Sequence, residues 1–220
     1  MDGDFDPLGF APVFTCEVNP EFPGAGVWHC PEFMYWSDPG EHTSGEVFHS
    51  KWGTPLVVRV APDSGEEWVG FFESGDLSRS TGVFAVASPL HLLAVNGGTG
   101  YWVDVKSPRH YAVIPMSPIV EVRRAPGTGI VLATSYSQLA AIDHDGLAWV
   151  SERLCLDDLR ILDVDATAVR LAGSLVEGEG EFAVDVRTGE PLGGSPFGQH
   201  YPLFAGRPVW RRSSENPDRS

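Results

Sequence analysis

The sequence predicts an all-β fold built from antiparallel four-stranded meanders, and three observations support this prediction. The 25 glycines and 18 prolines are scattered between short apolar runs, as expected where many tight turns join short strands. Hydrophobic residues make up 42% of the 220-residue chain, which is enough for a packed core. A pattern of one alternating apolar strand followed by a turn recurs along the chain at intervals near 40 residues.

Four segments carry this recurring pattern of strand, turn and aromatic or apolar residue. They read VVRVAPDSGEEW from Val57, YWVDVKSPRHY from Tyr101, AAIDHDGLAW from Ala140 and FAVDVRTGEPL from Phe182. Equivalent turn positions, separated by 43, 39 and 42 residues, are Ala61, Asp104, Asp143 and Asp185. Six or seven residues after each turn position come Trp68, Tyr111, Trp149 and Leu192.

A second set of equivalent positions gives the number of strands in each unit. The strand before each turn unit contains an alanine, and these alanines, separated by 39 residues, are Ala94, Ala133 and Ala172. A further strand precedes each of these, and Gly-containing turns such as NGGTG and APGTG lie between them. Each unit is therefore about four strands long. Since such a meander cannot bury its apolar faces alone, neighbouring units have to stack, and this period is typical of a β-propeller blade.

The turn units resemble the blade repeats of the pyrroloquinoline-quinone-type and WD40-like β-propellers. The matching residues are Ile142, Asp143, Gly146 and Trp149 in one segment and Val184, Asp185, Thr188, Gly189 and Leu192 in another. The resemblance covers roughly residues 55–195 and implies a small or incomplete β-propeller-like scaffold. It does not extend to a quinone site, so no cofactor is predicted.

We expect a single β-propeller-like domain over residues 1–210. Residues 1–54 form an atypical N-terminal part, residues 55–195 contain the repeats, and residues 211–220 form a disordered tail. An open toroid, a β-sandwich or a curved sheet would accommodate the same strands. The segment Ser151–Leu162 fits either a short helix or a strand.

The charge of the chain restricts its possible partners. Lys and Arg number 15 against 30 Asp and Glu, giving a formal net charge of −15. Such a surface repels nucleic acids and anionic membranes, and it favours a basic protein partner, although acidity also serves solubility. No apolar run reaches the ~20 residues of a membrane span, and no secretory signal is visible. With only three cysteines, Cys16, Cys30 and Cys155, we expect reduced thiols and a cytoplasmic location.

No catalytic or metal site is predicted from the motifs. Cys16, His29, Cys30, His42 and His49 are residue types that zinc uses, but none of their spacings is that of a zinc motif, and packed cysteines with exposed histidines are the alternative. The AIDHDG segment begins like a calcium loop, but Asp145-Gly146 is a common hairpin turn, and no later ligands follow.

Three functional hypotheses follow from the sequence. The preferred one is a non-enzymatic protein-interaction domain that binds or neutralises a basic protein, as an immunity protein or antitoxin does. Its possible partner-binding anchors are Trp28, Tyr35 and Trp36, whose alternative role is to cap the first blade. The second hypothesis is a small propeller-type hydrolase or lyase with an axial active site. The third is a subunit that completes its sheet by oligomerising.

Overall fold

The computed structural model describes residues 4–24, 26–38, 50–75 and 80–193 of the chain. These residues form 17 β-strands and no helix, which confirms the all-β prediction. Among them, accordingly, there is no helix of the length and apolarity that a membrane span requires. The predicted tail at 211–220, like His42 and His49, lies outside the described residues.

The chain divides into two compact units, each with its own hydrophobic core. The first comprises Met1–Ser117 and Trp210–Ser220, and the second comprises Pro118–Val209. The single domain expected over residues 1–210 stays a prediction. The described part of the first unit contains β1 (Phe5–Asp6), β2 (Phe14–Val18), β3 (Glu32–Tyr35), β4 (Leu56–Pro62), β5 (Trp68–Phe72), β6 (Gly82–Ala85), β7 (His91–Asn96), β8 (Thr99–Asp104) and β9 (Tyr111–Val113). That of the second contains β10 (Glu121–Arg124), β11 (Val131–Thr134), β12 (Leu139–Asp143), β13 (Gly146–Val150), β14 (Asp157–Val164), β15 (Ala168–Leu175), β16 (Gly178–Asp185) and β17 (Pro191–Leu192).

The first unit contains two sheets whose inner faces share one core. One sheet has the order β1-β6-β7-β8-β9, with β1 parallel to β6. The other has the order β2-β4-β5-β3, with β3 parallel to β5. Alternate residues of each strand point inward, so Val58 and Val60 from one sheet belong to the same buried cluster as Leu92 and Val103 from the other.

The second unit contains two plain antiparallel meanders, β10-β11-β12-β13 and β14-β15-β16-β17. Leu132 and Leu139 of one sheet and Leu171 and Val184 of the other belong to one buried cluster. With β6–β9, the described residues therefore form three successive four-stranded antiparallel meanders, as the sequence predicts. The propeller-like arrangement of such sheets stays a prediction.

The recurring residues occupy corresponding places in these meanders. Asp104, Asp143 and Asp185 are the last residues of β8, β12 and β16, each the third strand of its meander. The recurring alanines, all buried in the second strands, are Ala94, Ala133 and Ala172. The two-residue turn between β7 and β8 uses Gly97 at φ 55° and Gly98 at φ 83°, the left-handed conformation expected there.

The segment Ser151–Leu162, which fits either a short helix or a strand by sequence, contains the start of a strand. Residues Asp157–Val164 form β14, which pairs with β15, and no helix forms there. Leu159 and Ile161 alternate with exposed residues and are 4% and 6% exposed. Pairing with a neighbouring strand therefore decides a segment whose local propensity fits both structures.

The N-terminal part supplies strands to sheets formed mainly by later residues. β1 adds to β6, β2 pairs with β4, and β3 pairs with β5. The turn position at Ala61 lies near the end of β4, and Trp68 begins β5 opposite Val60. The sheet that contains β4 and β5 is thus completed by strands from the N-terminal part, and β3 lies at one of its edges.

Candidate functional site

The three aromatic residues expected to anchor a partner lie at different depths in the first unit. Tyr35 is 1% exposed, its ring stacks on Phe72 with 4.3 Å between centroids, and its hydroxyl donates a hydrogen bond to the Pro108 carbonyl at 3.0 Å. Tyr35 is therefore a core residue and not an exposed anchor, because its surface is already used for packing. Trp28 is 9% exposed and Trp36 is partly buried. Binding of a partner through these two residues stays a prediction.

Trp28 also has an unsatisfied polar atom. Its indole Nε1 is buried, and no described atom accepts a hydrogen bond from it. The ring meets Phe22 edge-on, with 5.6 Å between centroids, and Phe22 itself is 57% exposed. Phe22 is therefore the solvent-exposed ring of this pair, whereas Trp28 is largely buried.

Glu73 follows β5 directly and is completely buried. Its carboxylate accepts hydrogen bonds from the Ser37 amide at 2.9 Å, the Ser37 hydroxyl at 2.6 Å and the Lys51 amide at 3.3 Å. Burial alone would raise the pKa of Glu73, but the hydrogen bonds from Ser37 and Lys51 outweigh it and lower the pKa. A carboxylate held in its charged form by three donors fixes the backbone around Ser37 and Lys51, and it is unsuited to donate a proton as a general acid.

Three tyrosines lie around Glu73. The Tyr101 hydroxyl donates to the Glu73 carbonyl at 2.8 Å, and the Tyr35 and Tyr111 rings meet edge-on with 5.1 Å between centroids. Burial raises the pKa of Tyr35 and of Tyr101 well above their ordinary value, and it raises the pKa of Tyr111 to about 12. These phenols therefore stay neutral near pH 7 and serve as hydrogen-bond donors in the core.

The recurring aspartates stabilise turns. Asp104 Oδ1 accepts from the Lys106 and Ser107 amides at 2.9 and 3.1 Å. Asp185 Oδ1 accepts from the Arg187 and Thr188 amides at 2.8 and 3.0 Å. Each aspartate is used in its own Asx-type turn, as its hairpin position predicts.

Asp143 lies in the hairpin between β12 and β13. Its Oδ1 accepts from the Asp145 amide at 2.8 Å, and Asp143 pairs with Gly146 across a two-residue turn. Asp143, His144 and Asp145 are the one group of three possible metal-ligating side chains in the described part of the chain. Both His144 and Asp145 are exposed, and His144 Nδ1 lies 3.1 Å from Asp145 Oδ2, which is an ordinary surface contact for a hairpin tip.

Of the five residues considered for zinc, Cys16, His29 and Cys30 lie among the described residues. Cys16 packs against the core of the first unit from β2, His29 is exposed, and these residues form no cluster of ligands with other described side chains. All three cysteines are free thiols. Burial raises the pKa of Cys16 to about 12 and that of Cys155 to about 11, so both thiols are poor nucleophiles near neutral pH.

A cavity of about 290 Å³ lies next to the start of β3, and we call it the Phe33 cavity. Its apolar walls are Pro31, Phe33, Pro62, Trp68, Val105 and Pro108, and its charged walls are Glu66, Glu67 and Lys106. The Arg109 guanidinium lies over the Phe33 ring, 5.9 Å from its centroid, and Glu67 forms an ion pair with Arg59. Mostly apolar walls with a few charged residues among them suit binding of a side chain.

The sequence reasoning missed Glu73 and the Phe33 cavity. Glu73 could have been noticed, because it stands alone as an acidic residue after the buried strand WVGFF. The cavity could not have been predicted from the sequence, because its walls come from β3, from the turn after β4 and from the turn after β8. The long-range pairing of β3 with β5 places Phe33 there, and the Trp68 indole joins the turn after β8 by donating to the Val105 carbonyl.

No protein-family model matches this chain, and a search of curated proteins finds no similar sequence. A function therefore has to be inferred from the chain's own charge and geometry.

Proposed function

We propose that this chain is a non-enzymatic protein-interaction domain whose partner is a basic protein. The observation that carries the proposal is the net charge of −15. A cationic surface is attracted to such a chain, and covering a cationic site is how a domain of this kind would neutralise its partner. The expected propeller-like scaffold, a form that commonly serves as a rigid platform, is consistent with this role.

The acidic groups are presented on ordered elements. Exposed carboxylates occur on strands or at their ends, among them Glu17 on β2, Glu32 on β3 and Glu179 and Glu181 on β16. Arg59 pairs with Glu17 at 3.4 Å, yet Glu32 and Glu181 form no ion pair with any described residue. Unneutralised carboxylates on fixed backbone favour association with a basic surface at little cost in ordering.

The structural use of several carboxylates supports binding over catalysis. The carboxylates with well-defined partners are used structurally, Glu73 in the core and Asp104 and Asp185 in turns. Three free thiols support a function in the reducing cytoplasm.

The test begins with affinity capture at low salt from the cell that makes the chain, with captured proteins identified by mass spectrometry. Each basic candidate is then purified and titrated against the chain by calorimetry. We expect stoichiometric binding that weakens as salt rises from about 0.05 M to about 0.5 M, because the Debye length shrinks over this range. Absence of any stoichiometric basic partner, or an affinity independent of salt, would contradict the proposal.

A further inference from the structure

The edge strand β3 has backbone groups that no described strand uses. The Val69 amide donates to the Pro31 carbonyl and the Glu73 amide donates to the Tyr35 carbonyl, both at 2.9 Å. In a parallel ladder, alternate residues bond to the same neighbour, so Pro31, Phe33 and Tyr35 face β5. The amide and carbonyl groups of Glu32 and Met34 point away from the sheet, and no described residue pairs with them.

This open edge is short and has a defined end. Glu32 is exposed and Met34 is 38% exposed, so both residues of this edge are in contact with solvent. At the next outward-facing residue, the Trp36 amide donates to the Tyr111 hydroxyl at 3.4 Å, which ends the open stretch. Two residues thus offer two donors and two acceptors, the number that one added strand of about four residues uses.

The charges beside the edge indicate the chemistry of an added strand. Glu17, Arg59, Val69 and Glu32 lie in one row across the sheet. Arg59 is two strands from Glu32, roughly 10 Å away by strand spacing, and it already pairs with Glu17 and Glu67. A basic residue on a strand added at β3 would be one strand spacing from Glu32, and would be its nearest cation in the sheet.

The other face of β3 indicates what the alternate residues of that strand would contact. Phe33 points to the face opposite Glu32 and forms a wall of the Phe33 cavity, together with Pro31 and Trp68. Side chains of an added strand alternate between the two faces, so every second one would lie toward this apolar wall. The two faces together fit a strand that alternates apolar and basic residues.

We propose that an extended segment of the basic partner, alternating apolar and basic residues, adds to the sheet along the open edge of β3. This rests on the proposed function, for which it supplies the docking mode. A second copy of this chain is a poorer occupant, because it would bring a second Glu32 and another net charge of −15 to the same edge.

The edge is tested with a defined probe, an acetylated and amidated octapeptide that alternates lysine and valine. Amide hydrogen exchange followed by NMR reads the backbone directly. In the free chain we expect fast exchange at Glu32 and Met34 and slow exchange at Phe33 and Tyr35, whose amides face β5. Saturating peptide should slow exchange at Glu32 and Met34, while an octapeptide alternating glutamate and valine should not.

A matched pair of variants separates backbone pairing from side-chain contact. Met34→Pro removes an amide that faces solvent, a position where an edge strand tolerates proline, and Met34→Thr removes the same side chain but keeps the amide. We expect Met34→Thr to bind the lysine–valine peptide within about threefold of wild type and Met34→Pro to bind at least about tenfold more weakly. The exchange of β5 amides, unchanged in both variants, would confirm that the sheet is intact.

Three results would overturn the proposal: equal binding by Met34→Pro and Met34→Thr, protection that omits Glu32 and Met34, or no binding of the peptide. Dimerisation of the chain that Met34→Pro abolishes would assign the edge to a second copy instead. If a basic partner binds Met34→Pro as tightly as wild type, the docking mode fails while the proposed function stands. If the peptide binds at the edge but no basic partner exists, the proposed function fails on its own.

Discussion

Replacing Glu73 by glutamine should destabilise the first unit substantially although the side chain keeps its size. Glu73→Gln retains one carbonyl oxygen, which can accept from Ser37, but places an NH₂ group against the Lys51 amide, 3.3 Å from the oxygen it replaces. One hydrogen bond to a charged group is lost, and the two bonds from Ser37 change from charge-assisted to neutral. Removing the buried charge offsets part of this loss. We expect a net loss of about 2–3 kcal/mol in the free energy of unfolding at pH 7.

The same substitution should change the pH dependence of stability. The folded-state pKa of Glu73 lies below its ordinary value of 4.5, so its contribution is complete at pH values above 4.5 and is lost as the pH falls through the folded-state pKa. Glu73→Gln cannot titrate there. The difference in stability between wild type and variant should therefore be largest near pH 7 and should shrink as the pH falls below 4.5 and through the folded-state pKa.

Urea unfolding followed by tryptophan fluorescence measures both effects. Trp68 and Trp102 are buried in the first unit and should report its unfolding. With a urea dependence of about 2 kcal/mol per molar, the expected loss shifts the midpoint by about 1 M. Glu66→Gln is the matched control, because Glu66 is exposed and should change stability by less than about 0.5 kcal/mol. An unchanged midpoint in Glu73→Gln, or a stability difference that does not vary with pH, would refute this account of Glu73.

Two further predictions concern a tight turn and two of the cysteine thiols. Gly97→Ala should lower the free energy of unfolding by about 2–3 kcal/mol, because φ is 55° and the added Cβ would lie 2.5 Å from Ser74 Oγ. Gly127→Ala is the matched control: φ is 70° there, but nothing lies within 4 Å of the added Cβ, so the expected cost is only about 1 kcal/mol. Thermal melts of both variants check this, and equal costs would contradict it. With pKa values raised to about 12 and about 11, Cys16 and Cys155 should react with a thiol reagent near pH 8 far more slowly in the folded chain than in urea. Rapid modification of all three thiols of the folded chain would contradict the raised pKa values of Cys16 and Cys155.

The turns and the strands on either side of them could be predicted from the sequence because their determinants are local. Asp104 and Asp185 each precede a turn, and their carboxylates accept hydrogen bonds from amides of that turn, two or three residues further along the chain. The glycines at 97 and 98 permit the turn between β7 and β8 whatever surrounds it. The equal spacing of such turns is enough to predict successive four-stranded meanders without knowing which residues become buried.

The parallel pairs and the candidate sites could not be predicted, because they depend on contacts between distant segments. Nothing within Glu32–Tyr35 specifies pairing with Trp68–Phe72, yet this pairing buries Tyr35, exposes the edge at Met34 and places Phe33 beside Trp68. Pairing between strands also determines the structure of Ser151–Leu162, because its second half forms β14 by pairing with β15 and does not form a helix.

What the sequence by itself determined is the all-β class, the position of the turns and the acidity of the surface, since each follows from residue type and short-range spacing. Only the tertiary structure decided which aromatic residues pack the core, which carboxylate is buried and which strand lies at the edge of a sheet among the described residues. Those outcomes depend on which side chains are removed from water, and that is determined by all neighbouring segments together.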